Sequence, residues 1–103
     1  MAAYLVGHMT ITDPEAYLRY RSAFFPIFER FGGELVAFDD DATLLEGELP
    51  AGRTVVLRFA DRETALEWYH SDDYQRISEH RRQGVTQNFA VVMDERPAVD
   101  RYT

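Results

Sequence analysis

His8, Arg58 and Arg81 are the residues of this 103-residue chain whose types and positions best suit chemistry. His8 falls mid-run in phase with Tyr4 and Val6, where a near-neutral imidazole suits removal of a proton from a carbon or hydroxyl acid. Arg58 stands inside an apolar strand pattern and Arg81 follows Ile77 by four on a helical stretch, so either guanidinium would hold a carboxylate or an enolate. Each also has a structural reading: His8 as a core or interface histidine, the arginines as ion-pair members with Glu46 or another acid. Tyr17, Tyr20, Phe24, Trp68 and Tyr74, with Tyr69 beside them, offer an aromatic wall with hydroxyl and indole tips, suited to a flat, partly polar ligand. Glu46 joins this expected substrate-binding set. Aromatics at helical spacing also serve as plain core.

Composition removes several chemistries. All eleven basic residues are arginine, so no lysine is present for Schiff-base or amine nucleophile chemistry. The absence of cysteine excludes thiolate nucleophiles, disulfides and cysteine metal sites. A net charge of -7 argues against nucleic acid, whose binding draws on clustered cations. Glu67 and His70 form one Glu-x-x-His at helical spacing, but carboxylate di-metal sites need a second copy and further acids. His8, His70 and His80 are not at metal-ligand spacings, so neither a metal nor a cofactor is expected. No apolar run reaches the length of a membrane span, and no basic region leads into a long apolar one, so no membrane partner is expected and the cytoplasm is the expected compartment.

These residues need elements to position them. Ala3 to Ile11 reads as a strand that is apolar on both faces and hence covered on both. Asp13-Pro14-Glu15 is a helix start, with an N-cap carboxylate, a first-turn proline and an acid at the positive end. The helix should run to about Phe31, with a kink or break near Ser22 to Phe25 ahead of Pro26, and should end at Gly32-Gly33. Leu35 to Phe38 begins a second strand that Asp39-Asp40-Asp41 interrupts and Thr43 to Glu46 resumes, as a bulged edge strand or small hairpin. Arg53 to Ala60 is the clearest strand by β-branched content. Asp61 caps a second helical region, and Ser71-Asp72-Asp73 looks like a fresh cap that divides it in two. Asn88 to Met93 is the last strand. Residues 1–96 are expected to form one domain, followed by a polar tail over 97–103.

Strand, helix, two strands, helix, strand is the ferredoxin-like β-α-β-β-α-β order: an α+β fold with a four-stranded antiparallel sheet and two helices on one face. A second copy of the sheet is the simplest cover for the other face, so a homodimer is expected.

The segment Ala65 to Gln75, with Thr12 to Tyr17 and Gly32-Gly33 upstream, Leu45-Glu46-Gly47 between and Arg81 beyond, resembles the family called domain of unknown function 1330. The resemblance spans nearly the whole chain and implies the dimeric α/β barrel fold, which is shared with antibiotic-biosynthesis monooxygenases, haem-degrading monooxygenases, muconolactone isomerases and stress-responsive barrel proteins. It implies a cavity between sheet and helices, toward which His8 is expected to point, with Leu5 and Met9 on the bare face. Two functions follow from this: a cofactor-free isomerase or monooxygenase-like enzyme acting on a small aromatic or enolisable acid, or a non-catalytic ligand-binding or accessory homodimer. A third, weaker match is to the haem-degrading branch, through His8, Trp68 and His80 in that order.

Overall fold

Capping decides where the helices begin in the computed structural model, which describes residues 1–96. The Asp13 carboxylate accepts from the backbone N–H of Glu15 and Ala16 at 3.1 and 3.4 Å, and Pro14 takes the first position of α1 (Pro14–Arg30). Gly32, at φ 72°, turns the chain after it. The helix runs through Pro26 without the expected break. Ser22 and Pro26 are both exposed, so water is at hand for the carbonyl that the proline leaves unpaired.

Four strands, β1 (Ala3–Ile11), β2 (Glu34–Asp39), β3 (Arg53–Phe59) and β4 (Val85–Asp94), form one sheet in the order β2-β3-β1-β4, every neighbouring pair antiparallel. The second strand stops at Asp39 instead of resuming at Thr43. Asp39 Oδ1 accepts from the backbone N–H of Asp41 at 2.7 Å, which turns the chain away, and residues 40–52 form no regular element. The second helical region is α2 (Arg62–His70) followed by α3 (Asp72–Gly84), divided at Ser71, whose hydroxyl accepts from the N–H of Tyr74 at 3.2 Å. The fold is therefore the expected ferredoxin-like α+β arrangement, with three helices because the second is split. The polar tail expected over 97–103 lies outside the described residues.

Leu5, Leu57 and Phe59 bring the sheet into one buried cluster with Tyr20, Phe28, Trp68 and Tyr74. At one end α1 and α3 approach closely enough that Gly84 is required: a Cβ there would lie 2.6 Å from the backbone nitrogen of Tyr17. The opposite sheet face carries no helix and leaves Phe89, Val91 and Met93 between 42% and 51% exposed.

Candidate functional site

The alternation of β1 settles which side chains face the helices. Leu5 pairs across β3 with the buried Leu57, so Leu5, Gly7 and Met9 face inward and Tyr4, Val6, His8 and Thr10 face the bare side. This reverses the phase expected from the sequence. Because both faces of β1 are apolar, alternation alone cannot choose between them, and one step of register exchanges every side chain.

The inward residues form three cross-strand rows beneath α1 and α3. The first is Leu35, Leu57 and Leu5, the second Phe38, Val55, Gly7 and Ala90, the third Arg53, Met9 and Gln87. Gly7 and Ala90 lower the floor at the centre, and a cavity of about 220 Å³ lies above it. Tyr17, Tyr20 and Phe24 from α1, Trp68 and Tyr69 from α2, and Tyr74 and Arg81 from α3 close it. Two bulges build this floor. One at Val36 lets Leu35 and Phe38, three apart, both face inward, and one at Asn88 turns Gln87 inward beside Met9.

Hydrogen-bond donors dominate the polar part of the lining. The Tyr20 and Tyr74 hydroxyls lie 2.8 Å apart, and burial first, then Tyr74, holds the Tyr20 phenol well above the usual tyrosine range. Tyr20 therefore stays a neutral hydroxyl. Arg53 Nη1 donates to the Tyr17 hydroxyl at 3.0 Å, and Arg81 Nη1 to Gln87 Oε1 at 3.3 Å. Trp68 is 1% exposed, and its Nε1, like Arg81 Nε, is buried without a partner among the described residues. No histidine or carboxylate lies among the described residues that line the cavity.

Six residues expected at the site, Tyr17, Tyr20, Phe24, Trp68, Tyr74 and Arg81, are thus brought together here. Three are not. His8 is 1% exposed on the bare face, stacked on Phe89 with ring centroids 6.2 Å apart. The Asn88 side-chain amide nitrogen lies 2.9 Å from His8 Nδ1 and 3.0 Å from Thr10 Oγ1, and Thr10 donates to the Ala51 carbonyl at 2.7 Å. That chain of bonds makes His8 Nδ1 the acceptor and leaves the ring proton on Nε2. Arg58 shares the bare face, because it lies one residue out of phase with Leu57 and Phe59. It is 3.8 Å from Glu34, so its acid partner is Glu34 and not Glu46. Glu46 is exposed in the segment after Asp39 and does not line the cavity. The placement of His8 beyond the sheet from Trp68 also separates the three residues of the haem match, so they form no common pocket.

The sequence reading missed Arg53, Gln87, Leu35 and Phe38 as cavity residues. Arg53 was legible: it shares parity with Val55, Leu57 and Phe59. The other three owe their direction to the bulges, which leave no mark in the pattern of residue types.

The comparisons agree with this architecture. A search of curated proteins finds no match. Among solved structures, the RPA0582 protein of unknown function from Rhodopseudomonas palustris aligns with a TM-score of 0.78 at 17% identity, over 93% of this chain and 84% of that one. HapK from Hahella chejuensis aligns with a TM-score of 0.63 at 10% identity, over 93% and 94%. SnoaB from Streptomyces nogalater, described as a cofactor-independent oxygenase, aligns with a TM-score of 0.57 at 15% identity, over 95% and 96%. At these identities the likeness is one of fold. The model of the family described as Domain of unknown function (DUF1330) matches residues 2–94, nearly all of the described residues, and the chain belongs to that family.

Proposed function

We propose that the cavity binds a compact, flat organic molecule that accepts hydrogen bonds, such as an aromatic acid or an enol in its anionic form. The observation that carries this reading is the pairing of an aromatic wall with the guanidinium groups of Arg53 and Arg81, and no carboxylate among the described residues that line the cavity. Drug-sized ligands fill about 300–1,000 Å³, so a cavity of about 220 Å³ suits one or two fused rings. Of the residues proposed for this site, Tyr17, Tyr20, Phe24, Trp68 and Tyr74 supply the wall and Arg81 the cation.

The working unit is proposed to be a homodimer through the bare sheet face, where Val36, Phe89, Val91 and Met93 are each between 42% and 53% exposed. No helix among the described residues is long and apolar enough to cross a membrane, and the acidic charge of -7 disfavours nucleic acid.

A second reading is cofactor-free turnover, favoured by SnoaB, which carries that kind of activity on this fold. The donors would then stabilise the oxyanion of an enolisable substrate. With His8 across the sheet, its role as base gives way to proton loss from an already acidic substrate.

The test is a thermal-shift titration with 2-naphthoate and with octanoate, a flexible acid of similar charge. The reading predicts that 2-naphthoate raises the unfolding midpoint at lower concentration than octanoate. No shift with the aromatic acid up to millimolar concentration contradicts it. Oxygen uptake with an enolisable aromatic substrate separates turnover from binding.

A further inference from the structure

Arg21, Arg53 and Arg81 are the cations that line the cavity, and the position of Arg53 is unlike that of Arg81. The Arg53 guanidinium carbon lies 4.8 Å from the centre of the Phe38 ring and 5.9 Å from that of Tyr17, and Nη1 donates to the Tyr17 hydroxyl at 3.0 Å. The remaining edge of the fork, Nε and Nη2, is taken in bidentate fashion by the Asp40 carboxylate at 2.6 and 3.0 Å. Arg53 belongs to the cavity lining and its side chain is 22% exposed, whereas that of Asp40 is 60% exposed and begins the irregular stretch after β2. A guanidinium held by rings and a phenol is thus presented with a carboxylate from an exposed position outside the strands, in the bidentate geometry a ligand carboxylate would adopt.

We propose that Arg53 is a seat for the ligand's carboxylate and that Asp40 is a built-in competitor which occupies that seat until the ligand displaces it. The inference rests on the ligand reading above and adds to it the site of charge recognition and a contact that opposes binding. Three features support it. Arg53 lines the cavity while Asp40, itself outside the lining and 60% exposed, holds the same guanidinium from the solvent side, so an occupant of the cavity and Asp40 compete for one cation. Ion pairs with an exposed partner are weak and salt-sensitive, so exchange of one carboxylate for another is a modest step. The packing of Arg53 between Phe38 and Tyr17 does not depend on Asp40, so the cation stays in place when the acid leaves.

Exchange has a second consequence. Asp40 precedes residues 41–52, which have no strand or helix of their own, and its release removes their tie to β3 through Arg53. Ligand entry is therefore coupled to loosening of that stretch.

Calorimetric titration of the full chain with 2-naphthoate and with the neutral 2-naphthamide tests the inference. Asp40→Asn and Asp40→Ala should each tighten 2-naphthoate about three- to tenfold and leave 2-naphthamide within about twofold. Arg53→Gln should weaken 2-naphthoate to the affinity of the amide. Unchanged or weaker 2-naphthoate binding in both Asp40 variants, with 2-naphthamide still bound, overturns the competitor while the ligand reading stands. Failure of the wild type and of both variants to bind either probe overturns the ligand reading and this inference together.

Discussion

The hydroxyls of Tyr20 and Tyr74, separated by 54 residues, meet at 2.8 Å inside the protein and tie the middle of α1 to the first turn of α3 above the cavity. Either hydroxyl alone would be a buried polar group without a partner, so the pair is worth more than its separate members. Tyr20→Phe and Tyr74→Phe should each lower stability by about 1–2 kcal/mol. The double variant should lose less than the sum of the two, and urea unfolding of the four proteins measures the coupling.

The same pair predicts a pH dependence. The folded-state phenol of Tyr20 is raised above its unfolded value by burial and by Tyr74. Its contribution to stability is fully present below the ordinary tyrosine range, about pH 10, and is lost as pH climbs from there through the raised value. Stability should fall more steeply above about pH 10 in the wild type than in Tyr20→Phe. Urea midpoints measured from pH 8 to alkaline conditions, about pH 11, decide it, and parallel slopes contradict it.

Gly7 keeps the cavity open. A Cβ there meets only ordinary contacts, the nearest at 3.4 Å, so a longer side chain has the cavity as its free space. Gly7→Leu should fold and should weaken 2-naphthoate at least about tenfold, a loss of roughly 1.4 kcal/mol or more. Circular dichroism and calorimetry on the same sample separate loss of the site from loss of the fold.

His8 is a structural residue in this account. Its ring is buried by Phe89 and bonded to Asn88 on the far side of the sheet from the cavity. His8→Ala should cost about 2–4 kcal/mol and leave 2-naphthoate affinity within about twofold. A stable variant that no longer binds would return His8 to the site.

Val91 stands exposed at the centre of the bare face, in the row with Val6 and Val56. If that face joins two copies, Val91→Arg places two like charges in an apolar seam. Sedimentation should then change from twice the chain mass of 12.0 kDa to that mass itself. A wild type that sediments as one chain at micromolar concentration contradicts the homodimer.

Element order was legible because local chemistry sets it: Asp13-Pro14, Asp61 and Ser71 mark helix starts, and each caps in the structure. The aromatic wall was legible too, since Tyr17, Tyr20 and Phe24 share one helical face. The direction of β1 was not, because Tyr4, Val6 and His8 are as plausible inward as Leu5, Gly7 and Met9. What selects the second set is tertiary: Leu5 reaches Leu57 and the Trp68 cluster, and Gly7 leaves room for a cavity. His8 and Arg58 were misplaced by that single choice of phase. Gln87 and Phe38 were hidden by bulges, which depend on the pairing of two strands and not on either strand's residues.

The most direct test of a ligand cavity between sheet and helices is a crystal structure of the protein with 2-naphthoate. The account predicts ring density over Gly7 and Val55 and against Trp68, with an acceptor oxygen at hydrogen-bond distance, about 3 Å, from the guanidinium of Arg53 or Arg81. Density for the acid on the bare sheet face, with the cavity holding none at saturating concentration, would contradict it.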